Sequence, residues 1–186
     1  MIYWDMDGVL AKYNPDSYTG DEPEYLKDGY FLRVDKDPIA LYFFKECLRM
    51  YPNHTKVITG VAMDEELRFK QTLDKMTWLH QLVPEFNIGE NFMAVSKQKS
   101  SCITEIKGAS LSRRDILIDD FNNNLFNWEA SGGTAVKYLN GFNNPGSWHG
   151  YTLSGTDVEI LQSILYPKGK NFCDIQDLFA GVFNRL

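Results

Sequence analysis

The amino-acid sequence predicts an α/β fold, a doubly wound parallel sheet of five strands, on three observations. Short apolar runs recur along it: Ile2-Tyr3-Trp4, Val57-Ile58, Phe92-Met93-Ala94-Val95, Ile116-Leu117-Ile118 and Thr134-Ala135-Val136-Lys137-Tyr138-Leu139. Stretches of helical pattern separate them, and strands alternating with helices build parallel sheets. Three of the runs end in residues able to do chemistry, Asp5, Thr59-Gly60 and Asp119-Asp120, and open α/β sheets take their ligands at the carboxyl ends of strands. At 186 residues the chain is read as one domain, 1–186, long enough for a sizeable core.

Taken in order, the first strand leads into Asp5-Met6-Asp7-Gly8-Val9-Leu10, where Gly8 lets the backbone turn sharply. Residues 11–37 are irregular and rich in Asn, Asp, Gly, Pro and Tyr, too punctuated for core and too aromatic for a linker. An insertion directly after such a strand sits above its end, so this stretch is expected to form a small cap. Tyr13, Tyr18, Tyr25, Tyr30 and Phe31 either offer a face to a planar ring or anchor the loop onto the domain. Asp37-Pro38 opens a helix with an N-cap and a proline in the first turn. The second strand exits at Thr59-Gly60.

Met63 to Val83 is helical in composition, with Asp64, Glu65 and Glu66 suited to its start. An unbroken helix would bury the stripe Phe69, Leu73, Met76, Leu79 and Val83 and point Lys75 elsewhere. A fresh helix capped by Asp74 would instead place Lys75 in its first turn. The third strand is followed by Ser96-Lys97-Gln98-Lys99-Ser100 and a helix ending at Gly108. The fourth runs into Asp119-Asp120 and a helix stopped by Gly132-Gly133, and a fifth strand precedes a turn-rich run from Asn140 to Gly150. Thr156-Asp157 caps one more helix, and 174–186 reads as a final amphipathic helix, giving a C-terminal extension over 156–186.

Bulk properties exclude several classes. A net charge of -6 argues against nucleic-acid binding, which rests on basic surface that neutralises phosphates. No apolar run approaches the length of a membrane span. No leader is expected, because a carboxylate of the site comes only five residues in. Cys47, Cys102 and Cys173 are far apart and lack metal-ligand spacing, as expected of reduced thiols in a cytoplasmic protein. His54, His80 and His149 have no partners at metal spacing.

The chemistry is carried by acids. Carboxylates held close together repel by several kcal/mol at low effective dielectric, so Asp119-Asp120 at a buried strand end calls for a cation, and a divalent metal is the natural partner.

Asp-x-Asp-Gly-Val-Leu at residues 5–10 resembles the nucleophile motif of the haloacid dehalogenase-like (HAD) phosphohydrolases. Thr59-Gly60 resembles their second motif and Asp119-Asp120 their last. Lys75-x-x-Trp78, with the stretch from Ile116 to Asn144, resembles the cytosolic-type 5'(3')-deoxyribonucleotidase branch, small phage and bacterial proteins in particular. The resemblance implies that Asp5 is the nucleophile and Asp7 the acid and base. It implies that Thr59, Gly60 and Lys75 bind the phosphoryl group; read from the residues alone, Lys70, Lys97 and Lys99 are rivals of Lys75. It further implies that Mg2+ is held by Asp5, the backbone carbonyl of Asp7, and Asp119, with Asp120 orienting the metal's surroundings. The expected substrate is a small phosphorylated compound, a deoxyribonucleoside monophosphate. The alternatives are a HAD phosphatase for another phosphomonoester and a metal-binding HAD-fold protein without turnover.

Overall fold

A computed structural model of the chain describes residues 1–13, 18–19, 21–143 and 146–154. The expected extension over 156–186, Cys173 included, lies outside the described residues. The main sheet has six strands: β1 (Ile2–Trp4), β4 (Thr55–Gly60), β5 (Phe92–Val95), β6 (Ile116–Asp119), β7 (Thr134–Leu139) and β8 (Tyr151–Ser154), in the order β5-β4-β1-β6-β7-β8. Every neighbouring pair is parallel. The expected class therefore stands, with a sixth strand in place of five. Four-residue β8, bounded by Gly150 and Gly155, carries too little apolar alternation to stand out from the turn-rich run before it.

The pleat explains the layers. Successive strand residues face opposite sides, so Ile2 and Trp4 join Val57, Ile118 and Tyr138 in one core while Tyr3 joins Ile58, Leu117 and Ala135 in the other. The first core is covered by α2 (Pro38–Met50) and α3 (Glu65–Leu82), through Phe43, Phe44, Trp78 and Leu79. The second is covered by α5 (Lys99–Lys107) and α6 (Asn122–Ala130), through Ile103, Leu125 and Trp128. Strands buried on both faces carry apolar residues on both, which is why their centres read as short apolar runs rather than as alternation. Cys47 and Cys102 are free thiols buried in these layers.

Helix α2 starts as expected: the Asp37 carboxylate accepts from the backbone N–H groups of Ile39 and Ala40, and Pro38 fills the first turn. Residues between Ala11 and Asp37 form an excursion whose ends are tied together. Lys12 N–H donates to the Asp35 carbonyl and Asp37 N–H to the Leu10 carbonyl, at 2.7 and 2.8 Å. It contains a two-stranded hairpin, β2 (Tyr18–Thr19) with β3 (Glu22–Pro23), a 3-10 turn at Glu24–Leu26 and the short helix α1 (Tyr30–Arg33). Helix α3 anchors it: Trp78 Nε1 donates to the Val34 carbonyl and Gln71 Nε2 to that of Tyr25. The remaining short helix, α4 (Ile88–Asn91), leads into β5. No described helix is long and apolar enough to cross a membrane.

The sequence expectation for α3 is corrected. The helix is continuous from its Asp64 N-cap to Leu82, and Asp74 starts nothing. Phe69 and Leu73 are exposed, whereas Gln71, Lys75, Trp78 and Leu79 are buried. The inward face is polar in its middle because it meets the carboxyl end of the sheet and the excursion, and apolar only where it reaches the core.

Candidate active site

The site lies at the carboxyl ends of β1, β4 and β6, three adjacent strands. Asp5 follows β1 directly; its N–H donates to the Ile118 carbonyl, and its Oδ1 accepts from Met6 N–H at 2.7 Å. The turn closes with Gly8 N–H on the Ala11 carbonyl and Ala11 N–H on that of Met6. Gly8 has φ +75, and a Cβ there would meet Asp120 Oδ2 at 2.0 Å, so glycine is required both by conformation and by space. The first turn and the end of β6 are thereby brought into contact.

Asp5, Asp119 and Asp120 each place a carboxylate oxygen so that all three lie within 4.8 Å of one another, and all three residues are buried. Burial and the neighbouring carboxylates Asp119, Asp7 and Asp120 push the Asp5 carboxyl well above its ordinary range, against the pull of Lys99. Asp120 is pushed up to about 7 by burial and by Asp119. The ligand set is all hard oxygen, the donor chemistry of magnesium and calcium, and its mutual repulsion is what a divalent cation would relieve.

Two buried lysines complete the electrostatics. Lys99 Nζ lies 2.7 Å from both Asp5 Oδ2 and Asp119 Oδ2. Burial opposes its charge, yet the two carboxylates outweigh burial and hold the ammonium protonated beyond the usual lysine range. Lys75 Nζ donates to Asp7 Oδ2 at 2.5 Å, to Thr59 Oγ1 at 3.0 Å and to the Gly60 carbonyl at 2.6 Å, and stands 4.2 Å above the Phe31 ring. Asp7 Oδ1 is buried and has no hydrogen-bond partner among the described residues. Around Asp119, Oδ1 accepts from Phe121 N–H and Oδ2 also accepts from Asn124 Nδ2.

A cavity of about 360 Å³ opens onto this cluster, lined by Asp5, Asp7, Gly60, Lys99 and Asp120, with Tyr13 and Phe121 among its walls. Its volume falls within the range of small-molecule sites. Thr59 and Lys75 are buried behind that lining, whereas Lys99 is part of it. Asp5, Asp7, Thr59, Gly60, Lys75, Asp119 and Asp120 therefore converge on one place, but the buried lysine in the cavity wall is Lys99. Lys97, also in the wall, is paired with Glu105 at 2.6 Å, and Lys70 is paired with Glu66 and Asp28 away from the site.

The signal that points to Lys99 is its position as the first residue of α5: a helix N-terminus favours anions, so a buried cation there must answer to something else. Asn140, which sequence reasoning passed over, donates to both Asp120 and the Gly8 carbonyl. The excursion's rings pack mainly on each other, Tyr13 stacking on Phe31 and meeting Tyr25 and Tyr30 edge-on. His54, His80 and His149 are exposed, away from these carboxylates.

No protein-family model and no curated protein sequence matches the chain. Solved structures match it in fold. A D,D-heptose 1,7-bisphosphate phosphatase from Burkholderia thailandensis is similar with a TM-score of 0.51 at 13% identity, over 84% of this chain and 92% of that one. The D,D-heptose 1,7-bisphosphate phosphatase of B. bronchiseptica, complexed with magnesium and phosphate, gives a TM-score of 0.55 at 12% identity, over 87% of this chain and 98% of that one. This chain shares with them an α/β fold, its parallel sheet flanked by helices on both faces.

Proposed function

We propose that the protein is a magnesium-dependent phosphomonoester hydrolase, acting on deoxyribonucleoside monophosphates. The observation that carries this reading is the joining of Asp5, Asp119 and Asp120 with the Lys99 ammonium in one buried cluster on a cavity wall. Phosphoryl transfer needs an in-line nucleophile and positive charge around the equatorial oxygens, and little else. The fold shared with two phosphatases, one holding magnesium and phosphate, is consistent with it.

Asp5 attacks phosphorus, forming a P–O bond as the bond to the leaving alcohol breaks, and gives an aspartyl-phosphate. Asp7 protonates the departing oxygen. Its Oδ2 is fixed by Lys75, leaving Oδ1 free for the proton. Asp7 then takes a proton from the water that attacks the aspartyl-phosphate, releasing phosphate and restoring Asp5. Lys99, in the cavity wall, neutralises the phosphoryl oxygens. Lys75 orients Asp7 and the Thr59 hydroxyl, and Gly60 allows close approach because no side chain stands there. Asp5 and Asp119, with the Asp7 carbonyl, would hold magnesium, and Asp120 would order its surroundings. Bound there, the ion supplies positive charge to the transferring group.

The leaving group is read from the walls. Tyr13 and Phe121 give the cavity two aromatic sides, and Phe121 is 56% exposed beside the carboxylates. Phe121 is also the N-cap residue of α6 and caps nothing with its side chain, where Ser, Thr, Asp or Asn would stabilise the helix. A planar base stacking there gains roughly 1–3 kcal/mol. The 11–37 excursion acts as the cap over it.

The test is phosphate release with magnesium across deoxy- and ribonucleoside monophosphates and sugar phosphates, D,D-heptose 1,7-bisphosphate included, with Asp5→Asn as the blank. Turnover of deoxyribonucleotides that is lost in EDTA is expected. Turnover of sugar phosphates alone would overturn the substrate, and no release from any ester would overturn the enzyme.

A further inference from the structure

We infer that Asn140 is the positioning residue of the divalent-cation site, a clamp that locks Asp120 to the first turn and sets the affinity for magnesium. The inference rests on the metal reading of the proposed function.

Asn140 follows directly on β7 and uses every hydrogen-bonding group of its amide. One Nδ2 hydrogen goes to the Gly8 carbonyl and the other to Asp120 Oδ2, each at 2.8 Å. Its Oδ1 accepts from the backbone N–H groups of Phe142 and Asn143, both at 2.9 Å, which fixes the orientation of the amide. Asn143 Nδ2 also donates to Asp120 Oδ2. A single carboxylate oxygen therefore takes two amide donors while lying against Gly8, whose Cβ, were there one, would be 2.0 Å from it.

The same strand braces the other side. Lys137, 1% exposed on β7, donates from Nζ to the Asp120 backbone carbonyl at 2.7 Å and to Asn122 Oδ1 at 2.6 Å. Residue 120 is thus held through its main chain by Lys137 and through its side chain by Asn140. With Oδ2 so occupied, the rotation of the carboxylate is fixed and Oδ1 is the atom left to the cation and its waters. The Gly8 bond fixes the turn that carries Asp7, whose carbonyl is assigned to the same cation. Loss of such supporting contacts typically lowers metal affinity or activity 10- to 100-fold.

Size selectivity follows. Magnesium demands a near-ideal octahedron, whereas calcium accepts six to eight oxygens in flexible geometry, so a loosened Asp120 should cost magnesium more than calcium.

The experiment is titration calorimetry of Mg2+ and of Ca2+ into metal-free protein without substrate, for the wild type, Asn140→Ala, Asn140→Asp and Asn143→Ala. Asn140→Asp keeps the oxygen that holds the turn and loses both donors, so it separates the clamp from the loop's folding. Asn143→Ala removes one donor from a surface loop and keeps the test open if both Asn140 variants unfold. The expected result is a magnesium dissociation constant raised about 10-fold or more in the Asn140 variants, raised less in Asn143→Ala, with a smaller loss for calcium. Asn140→Asp adds a negative charge, so simple electrostatics predicts tighter binding. Unchanged or tighter magnesium binding in Asn140→Asp, or equal losses for the two ions, would overturn the clamp. A wild-type protein that binds neither ion would overturn the metal reading itself, a distinguishable result.

Discussion

Lys99→Met removes the ammonium that bridges Asp5 and Asp119 and leaves the shape of the side chain nearly intact. At an effective dielectric near 20, unit charges 2.7 Å apart attract by about 6 kcal/mol, and Lys99 makes two such pairs. Desolvation of three buried groups offsets most of that. Removing one partner of a buried pair costs about 3–5 kcal/mol, because the remaining charge is left uncompensated. A domain of this size loses about 2–4 °C in Tm per kcal/mol, so a fall of about 6–20 °C is expected in metal-free buffer. The variant then holds Asp5, Asp119 and Asp120 within 4.8 Å with no cation between them. Magnesium at 100 times its dissociation constant stabilises by about 2.7 kcal/mol, and the variant should gain more from it than the wild type at the same concentration. Thermal and urea unfolding followed by circular dichroism, with EDTA or with magnesium, measure both effects. A Lys99→Met protein as stable as the wild type in EDTA, or equal magnesium increments in the two proteins, would refute the claim that Lys99 balances this cluster.

Other outcomes follow from the same geometry. Asp5→Asn should lower kcat by at least about 10³-fold while leaving the circular dichroism spectrum unchanged and Tm equal or higher, since one of several repelling carboxylates is gone; near-normal turnover would exclude Asp5 as nucleophile. Lys75→Met should lower kcat for esters with poor leaving groups far more than for p-nitrophenyl phosphate, because it unfixes Asp7, the proposed proton donor; an equal loss on both would mean that Lys75 serves binding instead. Phe121→Ser restores a favourable N-cap, so stability should rise by about 1 kcal/mol while KM for deoxyribonucleotides rises about 5-fold or more; an unchanged KM would remove Phe121 from the leaving-group wall. The pH dependence has a definite sign. Asp120 rises from the ordinary 3.8 to about 7 on folding and Asp5 also rises, so these groups favour the folded state fully below about pH 4 and lose that effect as pH climbs through 7. The Tm of the metal-free protein should fall between pH 5 and 8, and magnesium should abolish the fall; a pH-independent difference between the two would exclude carboxylate repulsion as its cause.

The acids of the site could be read directly because each ends a strand. Asp5 and Asp119 stand where apolar runs stop, and parallel pairing puts the ends of β1 and β6 side by side whatever the helices do. The same logic reached Thr59 and the helix cap at Asp37, which depend on neighbours within a few residues. Helix α3 shows where pattern reading stops. Its apolar positions Phe69 and Leu73 face solvent while Lys75 and Gln71 turn inward, because the surface it packs on is partly polar. Periodicity assumes an apolar partner and has no way to know otherwise.

What the sequence alone determined is the layered α/β class and the carboxylates at its strand ends, since both follow from local pattern and the geometry of parallel strands. What only the tertiary structure decided is which cations answer those carboxylates and which amides hold them still. Lys99 and Asn140 reach the site across 94 and 20 residues of chain, to Asp5 and Asp120, and an ammonium or an amide carries no periodic signature of its partner. The balance of charge in a buried site is a sum over elements distant in sequence, so it comes into being only when they pack.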